Sequence, residues 1–390
     1  DSQKSRRMKL IKKLPDPFLL NDGNRVASVE DWRIRRSEIV DLLMTTQYGT
    51  MPDAPDVVTE STGRWEELPN GRKQRVDCLE FTPNRDKPRV SFILDVTITH
   101  PSEEAVSRRL DTLQGFNETG LPALIYVGGK TFENVLDNGY VIINYPNDTL
   151  EPMEMGKPKP GPAREAYKSV YGNQFSWGSI SAWAWGARRV LDHVIRLPEV
   201  DGNHIAISGH SRNGKTALLA GALDERFAVV NPAGSGCAGA GSYLALGENC
   251  EDLAALTSRD RWWAWAHADF ESWAGREEEL PFDQHFLMSL VAPRPLLRTE
   301  GIDDHWANPE GTSVSVLATQ PIYDFLNVAD RNTISYRDGG HTHSEEDAKA
   351  LMMVCDECFF GCSREAGLSQ TLALTPSTDT LFDWNSPPRP

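Results

Sequence analysis

The run Gly209-His-Ser-Arg-Asn-Gly-Lys-Thr216 follows the apolar stretch Ile205-Ala-Ile207 and leads into Ala217-Leu-Leu-Ala220. It satisfies every fixed position of the pattern G-x-x-x-x-G-K-[ST], whose backbone N–H groups cradle the phosphates of a nucleotide. The same residues can instead form a nucleophile elbow, a sharp strand-to-helix turn that lifts Ser211 above a sheet and needs small neighbours to avoid clashes. Gly209 meets that need two positions before the serine. Asn213 stands where a second glycine is usual, and Gly214 follows it. As a bare pattern the elbow is the weaker match.

Working outward, short apolar runs predict strands at 90–97, 123–127, 140–145, 204–208, 228–231, 295–299 and 333–336. Helical spacing predicts helices at about 30–45, at 180–195 and at 217–223, the second ending before Pro198. Strands alternating with helices imply an α/β fold with a mostly parallel central sheet covered by helices on both faces. Several strands precede the run at 209–216, whereas a phosphate loop normally follows the first strand of its domain. The next strand runs into Pro232-Ala-Gly-Ser-Gly236, with no acid to hold magnesium. An elbow calls for an acid and then a histidine on loops after later strands. Asp304 follows the strand at 295–299, and His341 follows the strand at 333–336. The order Ser211, Asp304, His341 is that of the α/β-hydrolase fold, and it favours the elbow over a nucleotide-binding enzyme. Asp303 and His343 are the near rivals on the same loops.

The 390 residues, 39% of them hydrophobic, can fill a large core. We read one domain over 1–390, with residues 1–85 as an extension wrapping the core and 363–390 as an extended tail in which Leu381, Phe382 and Trp384 can pack. A net charge of −16 disfavours nucleic acid and anionic membranes, which would be repelled at long range. No apolar run approaches the roughly 20 residues that cross a bilayer. A start at Asp1 without an apolar leader leaves a secreted or periplasmic mature form and a cytoplasmic protein both open. Six cysteines do not make a disulfide scaffold in a chain of this size. Cys355, Cys358 and Cys362 are spaced for one helix face, where packing or a local bridge is expected rather than a metal. No metal or cofactor is expected, and the chain is expected to be a monomer.

From about 178 to 341 the sequence resembles the glucuronoyl esterases. The resemblance rests on Ser181-Ala-Trp-Ala-Trp-Gly186, the elbow, Leu280-Pro-Phe-Asp-Gln-His285, Ala292-Pro-Arg-Pro295, Asp304-His-Trp-Ala-Asn-Pro309 and Asp338-Gly-Gly-His341, in the family's order. It implies a serine esterase that cleaves the ester between 4-O-methyl-glucuronic acid on xylan and a lignin alcohol. It implies Ser211 as nucleophile and His341 as base, and Arg212 as an oxyanion donor through its backbone N–H and its guanidinium. It also implies Lys215 and Trp306 as sugar contacts. Fungal members carry a glutamate acid in a Pro-Gln-Glu-Ser-Gly run, and Gly234 stands there in this chain. They also carry a Gln and a Glu, eight apart before a Trp, as sugar ligands. The nearest match here is Glu251 and Arg259 before Trp262. These changes alter the charge of the expected sugar site.

Other readings of these residues are plainer. Trp183 and Trp185 lie in an apolar helix and are expected in the core, and His285 is expected to hydrogen-bond within a helix. Trp306 could fill space under the Asp304 loop. An acetyl or feruloyl esterase on the same scaffold is the alternative enzyme, because fold and triad do not fix the acyl group. The phosphate-loop reading predicts magnesium-dependent ATP binding through Lys215.

Overall fold

Leu121–Val127 is a run of seven residues with every side chain buried, and Val141–Tyr145 is another of five. Such continuous burial is what a strand between two layers of helices requires. The computed structural model describes residues 7–152, 154–364, 368 and 378–389. Its central sheet has ten strands, with Glu66–Glu67 paired to one side of the main path. The path runs Asn332–Arg337, Leu296–Gly301, Val229–Ala233, Val200–His210, Leu121–Val127, Val141–Tyr145, Phe92–His100, Lys73–Thr82 and Val57–Ser61. The first six are mutually parallel and the last three are joined antiparallel. All seven expected strands are present, within a mixed sheet whose parallel half carries the elbow.

Side chains alternate across each strand. On one face Ala123, Ile125, Ile205, Ile207 and Leu296 join a core with Ser179–Val194, Arg212–Leu223 and Pro309–Phe325. On the other, Leu124, Ile142, Ala206 and Leu297 meet Ala348, Leu351 and Val354 of Glu345–Phe360. Trp183 and Trp185 are fully buried in the first core, as expected.

The extension read at 1–85 does more than wrap. Val29–Leu43 packs on the core through Trp32, Ile39 and Leu43, but Val57–Ser61 and Lys73–Thr82 are strands of the central sheet. The alternation in Lys73–Thr82 was masked because its inward positions carry Arg75 and Asp77 before Leu79 and Phe81. Arg75 pairs with Asp77 at 3.0 Å, and His193 Nε2 lies 2.9 Å from the same carboxylate, which is how charge is held inside.

Part of the expected tail, 365–367, 369–377 and 390, lies outside the described residues. Thr378–Leu381 is a helical turn, and Leu381, Phe382 and Trp384 are buried, with Trp384 Nε1 donating to Leu14 O at 2.9 Å. His285 corrects the expectation of a bond within its helix. Its Nε2 meets the Pro15 carbonyl at 2.8 Å, pinning the N-terminal segment to the core. All six cysteines are free thiols, Cys355 packed in the second core. Among the described residues, no helix is long and apolar enough to cross a membrane.

Candidate active site

The strand Val200–His210 ends one residue before the helix Arg212–Leu223 begins, so Ser211 alone makes the turn. Its φ of 60° and ψ of −125° lie outside the regions that a side-chain-bearing residue ordinarily adopts. The turn is held by Ser211 N donating to Ala233 O at 2.9 Å. A Cβ at Gly209 would sit 2.2 Å from the Asn213 carbonyl oxygen, and one at Gly214 would sit 2.9 Å from Ala233 O. Both glycines are therefore needed for the tight crossing, and the displaced second glycine still serves the elbow. The helix starts at Arg212 and not at 217 as expected, which removes any loop long enough to wrap a phosphate. Lys215, which a phosphate loop would aim at a nucleotide, is buried and donates to Ser235 O at 2.5 Å.

Two further loops converge on Ser211. Asp304 lies just after Leu296–Gly301, with its N–H donating to Gly301 O at 3.1 Å. The next helix, Pro309–Phe325, is capped by Asn308, which accepts from Gly311 N and Gly247 N, both at 2.9 Å. His341 follows Asn332–Arg337. There Arg337 gathers the loop by donating to the carbonyls of Gly340 and Thr342 and to Asp347 at 2.8 Å. Asp347 also completes a capping box with Ser344 at the start of Glu345–Phe360.

In the assembled site His341 Nδ1 is 2.7 Å from Asp304 Oδ2, and His341 Nε2 is 3.0 Å from Ser211 Oγ. A carboxylate can only accept, so Nδ1 carries the proton and Nε2 is left to accept from the serine hydroxyl. The Asp304 side chain is 4% exposed and that of His341 44%, a buried acid behind an accessible imidazole. The rivals are placed otherwise. Asp303 accepts from Gly339 N at 3.3 Å, and His343 is buried with Nδ1 3.0 Å from the Tyr126 hydroxyl. Burial, reinforced by Lys130 and Arg337, pushes His343 down to about 3. His210, its ring 4.5 Å from that of His341, is likewise pushed down to about 3 by burial and by the two neighbouring histidines. Beneath the loop, burial drives the Glu300 carboxyl well above the usual range, with Asp304 and Asp347 adding to it.

A cavity of about 240 Å³ opens on Ser211 and His341. Its walls include Arg212, Lys215, Glu251, Trp262, Trp265 and Trp306. Arg212 lies 5.8 Å from the centre of the Trp183 ring, its Nε is buried without a partner, and burial lowers its pKa. Trp306 is 46% exposed, so it is not filling space under its loop. Trp262 stacks on Trp265 with centroids 4.5 Å apart. Arg259 is the expected residue that the fold does not bring here. It pairs with Glu271 at 2.5 Å and lies over Trp263. Arg261 lies beside two residues of the cavity wall instead, 3.3 Å from Glu251 Oε2, with its guanidinium 5.2 Å from the Trp306 ring centre. Between the helix Leu253–Thr257 and the 3₁₀ turn Trp263–Trp265 the backbone is irregular, so a spacing carried over in sequence misses by two residues. Sequence reading also missed Trp265, whose buried ring signalled only core. Gly234 abuts the acid, since a Cβ there would be 3.4 Å from Asp304 Oδ2 and 3.3 Å from His210 Nε2. A side chain at 234 would thus start beside the Asp304 carboxylate.

A family model described as "Glucuronyl esterase, fungi" matches residues 95–327, more than half of the chain. The chain belongs to the glucuronyl esterase family. A 4-O-methyl-glucuronoyl methylesterase of Phanerochaete carnosa is 28% identical, over 85% of this chain and 77% of that protein. Carbohydrate esterase MZ0003, from an unknown prokaryotic organism, is 29% identical over 80% of this chain and 78% of its own length. The solved structure of a family 15 glucuronoyl esterase from Caldicellulosiruptor kristjansonii superposes with a TM-score of 0.77. It is 29% identical and covers 95% of this chain and 96% of that one. As a glucuronyl esterase with the α/β-hydrolase fold, this protein is a carboxylic ester hydrolase.

Proposed function

We propose that the protein cleaves the ester between 4-O-methyl-glucuronic acid on xylan and a lignin alcohol, through an acyl-enzyme on Ser211. The observation that carries the reading is the hydrogen-bonded chain Asp304, His341, Ser211 at the mouth of a cavity that also presents Lys215, Glu251 and Trp306. His341 Nε2 takes the hydroxyl proton as Ser211 Oγ attacks the ester carbonyl, and Asp304 stabilises the imidazolium that forms. The oxyanion is met by the Arg212 backbone N–H, at the first position of its helix where no intrahelical acceptor exists, and by the guanidinium. The partial positive charge of the helix N-terminus adds to this. His341 then returns the proton to the departing alcohol. Water, activated by the same histidine, opens the acyl-enzyme to free acid and serine.

Recognition rests on Lys215, four residues along the helix from the nucleophile and therefore on its face, on the exposed ring of Trp306, and on Glu251, Arg261 and Trp262. The comparison that tests the reading is hydrolysis of methyl 4-O-methyl-glucuronate beside acetylated xylan and a feruloyl ester. The uronate ester is expected to be the best substrate. Preference for either of the others would move the protein to acetyl or feruloyl ester chemistry, and a magnesium-dependent thermal shift with ATP and none with an ester would revive the phosphate loop.

A further inference from the structure

The segment Trp262–Ala266 divides two cavities. Trp262 and Trp265 line the one that opens on Ser211, whereas Trp263, Ala264 and Ala266 line a second, of about 300 Å³. The far side of the second cavity comes from the helix Pro162–Tyr171, through Tyr167 and Lys168, and from the loop after it, through Phe175 and Trp177. Its character differs from the surface at large. The chain carries 56 acidic residues against 40 basic ones, yet among the described residues no carboxylate lines this cavity and its charged side chains are Arg164 and Lys168.

The two cations are not equivalent. Arg164 is consumed by structure, paired with the buried Glu151 and donating to Trp177 O at 2.8 Å. Lys168 is exposed, and among the described residues its ammonium makes no ion pair. The aromatic part is preformed. Trp263 is fixed by Nε1 donating to Gly156 O at 2.7 Å, and Phe175 is held edge-on against Tyr167 with centroids 6.0 Å apart. Rigid rings with a few placed polar donors are the usual make-up of a small-molecule site. The electron-rich face of an aromatic ring suits the C–H face of a pyranose.

We propose that this second cavity is a subsite for the polysaccharide chain that bears the ester, with a free uronate carboxylate of that chain set against Lys168. The proposal rests on the esterase reading above and identifies where the rest of the substrate lies. The occupant follows from continuity, because Trp262 and Trp265 line the catalytic cavity while their chain neighbours Trp263, Ala264 and Ala266 line the second, and Trp262 and Trp263 are both partly exposed. A carbohydrate leaving the catalytic cavity over that rim enters the second. A carboxylate is preferred over a neutral sugar because the lining offers, among the described residues, a cation without an ion pair and no competing acid.

Lys168→Glu and Phe175→Ala test this, since neither residue touches Ser211, His341 or Asp304. KM is measured for a monosaccharide uronate methyl ester and for the same ester on a xylo-oligosaccharide carrying a second, free uronate. Each variant is expected to raise KM about tenfold on the oligosaccharide, the size of one charge-assisted or stacking contact, and to leave the monosaccharide unchanged. Equal shifts on both substrates, or no shift on either, would overturn the subsite. Calorimetry with the ester-free acidic xylo-oligosaccharide on a Ser211→Ala background reads the cavity without catalysis. Binding weakened by Lys168→Glu supports the proposal, and binding that is absent or indifferent to Lys168 refutes it. Failure of the unaltered enzyme on the monosaccharide ester would count against the esterase reading alone.

Discussion

Replacing Asp304 by asparagine keeps the shape of the acid but changes what it offers the histidine. The bond it makes to His341 Nδ1 is 2.7 Å long and comes from a side chain 4% exposed, so it is a charge-assisted contact shielded from water. Loss of such a bond alone is worth about 1.5–3 kcal/mol, or roughly 10- to 150-fold in rate. The amide also presents N–H donors, which favour a histidine with Nδ1 unprotonated. The proton then moves to Nε2, the atom that must accept from Ser211. With the wrong tautomer populated, kcat should fall about 10³- to 10⁴-fold, or about 4–5.5 kcal/mol. Asp303→Asn alters a carboxylate that accepts from Gly339 N and does not meet His341 Nδ1, so it should cost less than about tenfold. The assay is kcat on one good ester for both variants, with circular dichroism showing that each is folded. A sensitive Asp303 with an insensitive Asp304 would refute the placement of the acid, as would insensitivity of both.

Lys215→Ala should raise KM for uronate esters more than for a small aryl acetate, because the lysine is assigned to the sugar; equal losses on the two substrates would point to its bond with Ser235 and a structural role. Arg261→Ala should impair uronate ester hydrolysis by about tenfold or more, whereas Arg259→Ala, outside the cavity, should leave it nearly unchanged, and the reverse order in KM would restore the sequence expectation. Stability should fall on acidification. His343 is held at about 3 when folded, against about 6.5 unfolded, so the unfolded state takes up the proton first. Its contribution is whole above pH 6.5 and shrinks as pH drops towards 3, by about 2 kcal/mol at pH 5. Urea titrations at pH 7 and 5 should show at least that loss, His210 adding its own in the same direction, and His343→Gln should lessen it; a slope unaltered by the substitution would contradict the buried neutral imidazole.

Much of this was legible in the sequence where one physical signal dominated. Leu121–Val127 and Val141–Tyr145 could be read because both faces are buried and the apolar run is unbroken. The site's chain order could be read because the fold places acid and base on successive strand ends. Lys73–Thr82 stayed hidden because a buried ion cluster replaced the apolar alternation at Arg75 and Asp77. The start of the helix at Arg212 was obscured by Asn213 and Gly214, poor helix formers whose positions are set by the packing of the elbow. The exchange of Arg259 for Arg261 could not be read at all, since side-chain direction in an irregular segment depends on dihedral angles that no periodicity encodes.

The role of Ser211 as nucleophile underlies every other assignment. Labelling with a fluorophosphonate, followed by mass spectrometry of the digested protein, tests it without choosing a substrate. One phosphonylated residue is expected, Ser211, with labelling lost in Ser211→Ala and slowed in Asp304→Asn; an adduct on any other residue, or continued labelling of the Ser211→Ala protein, would contradict it.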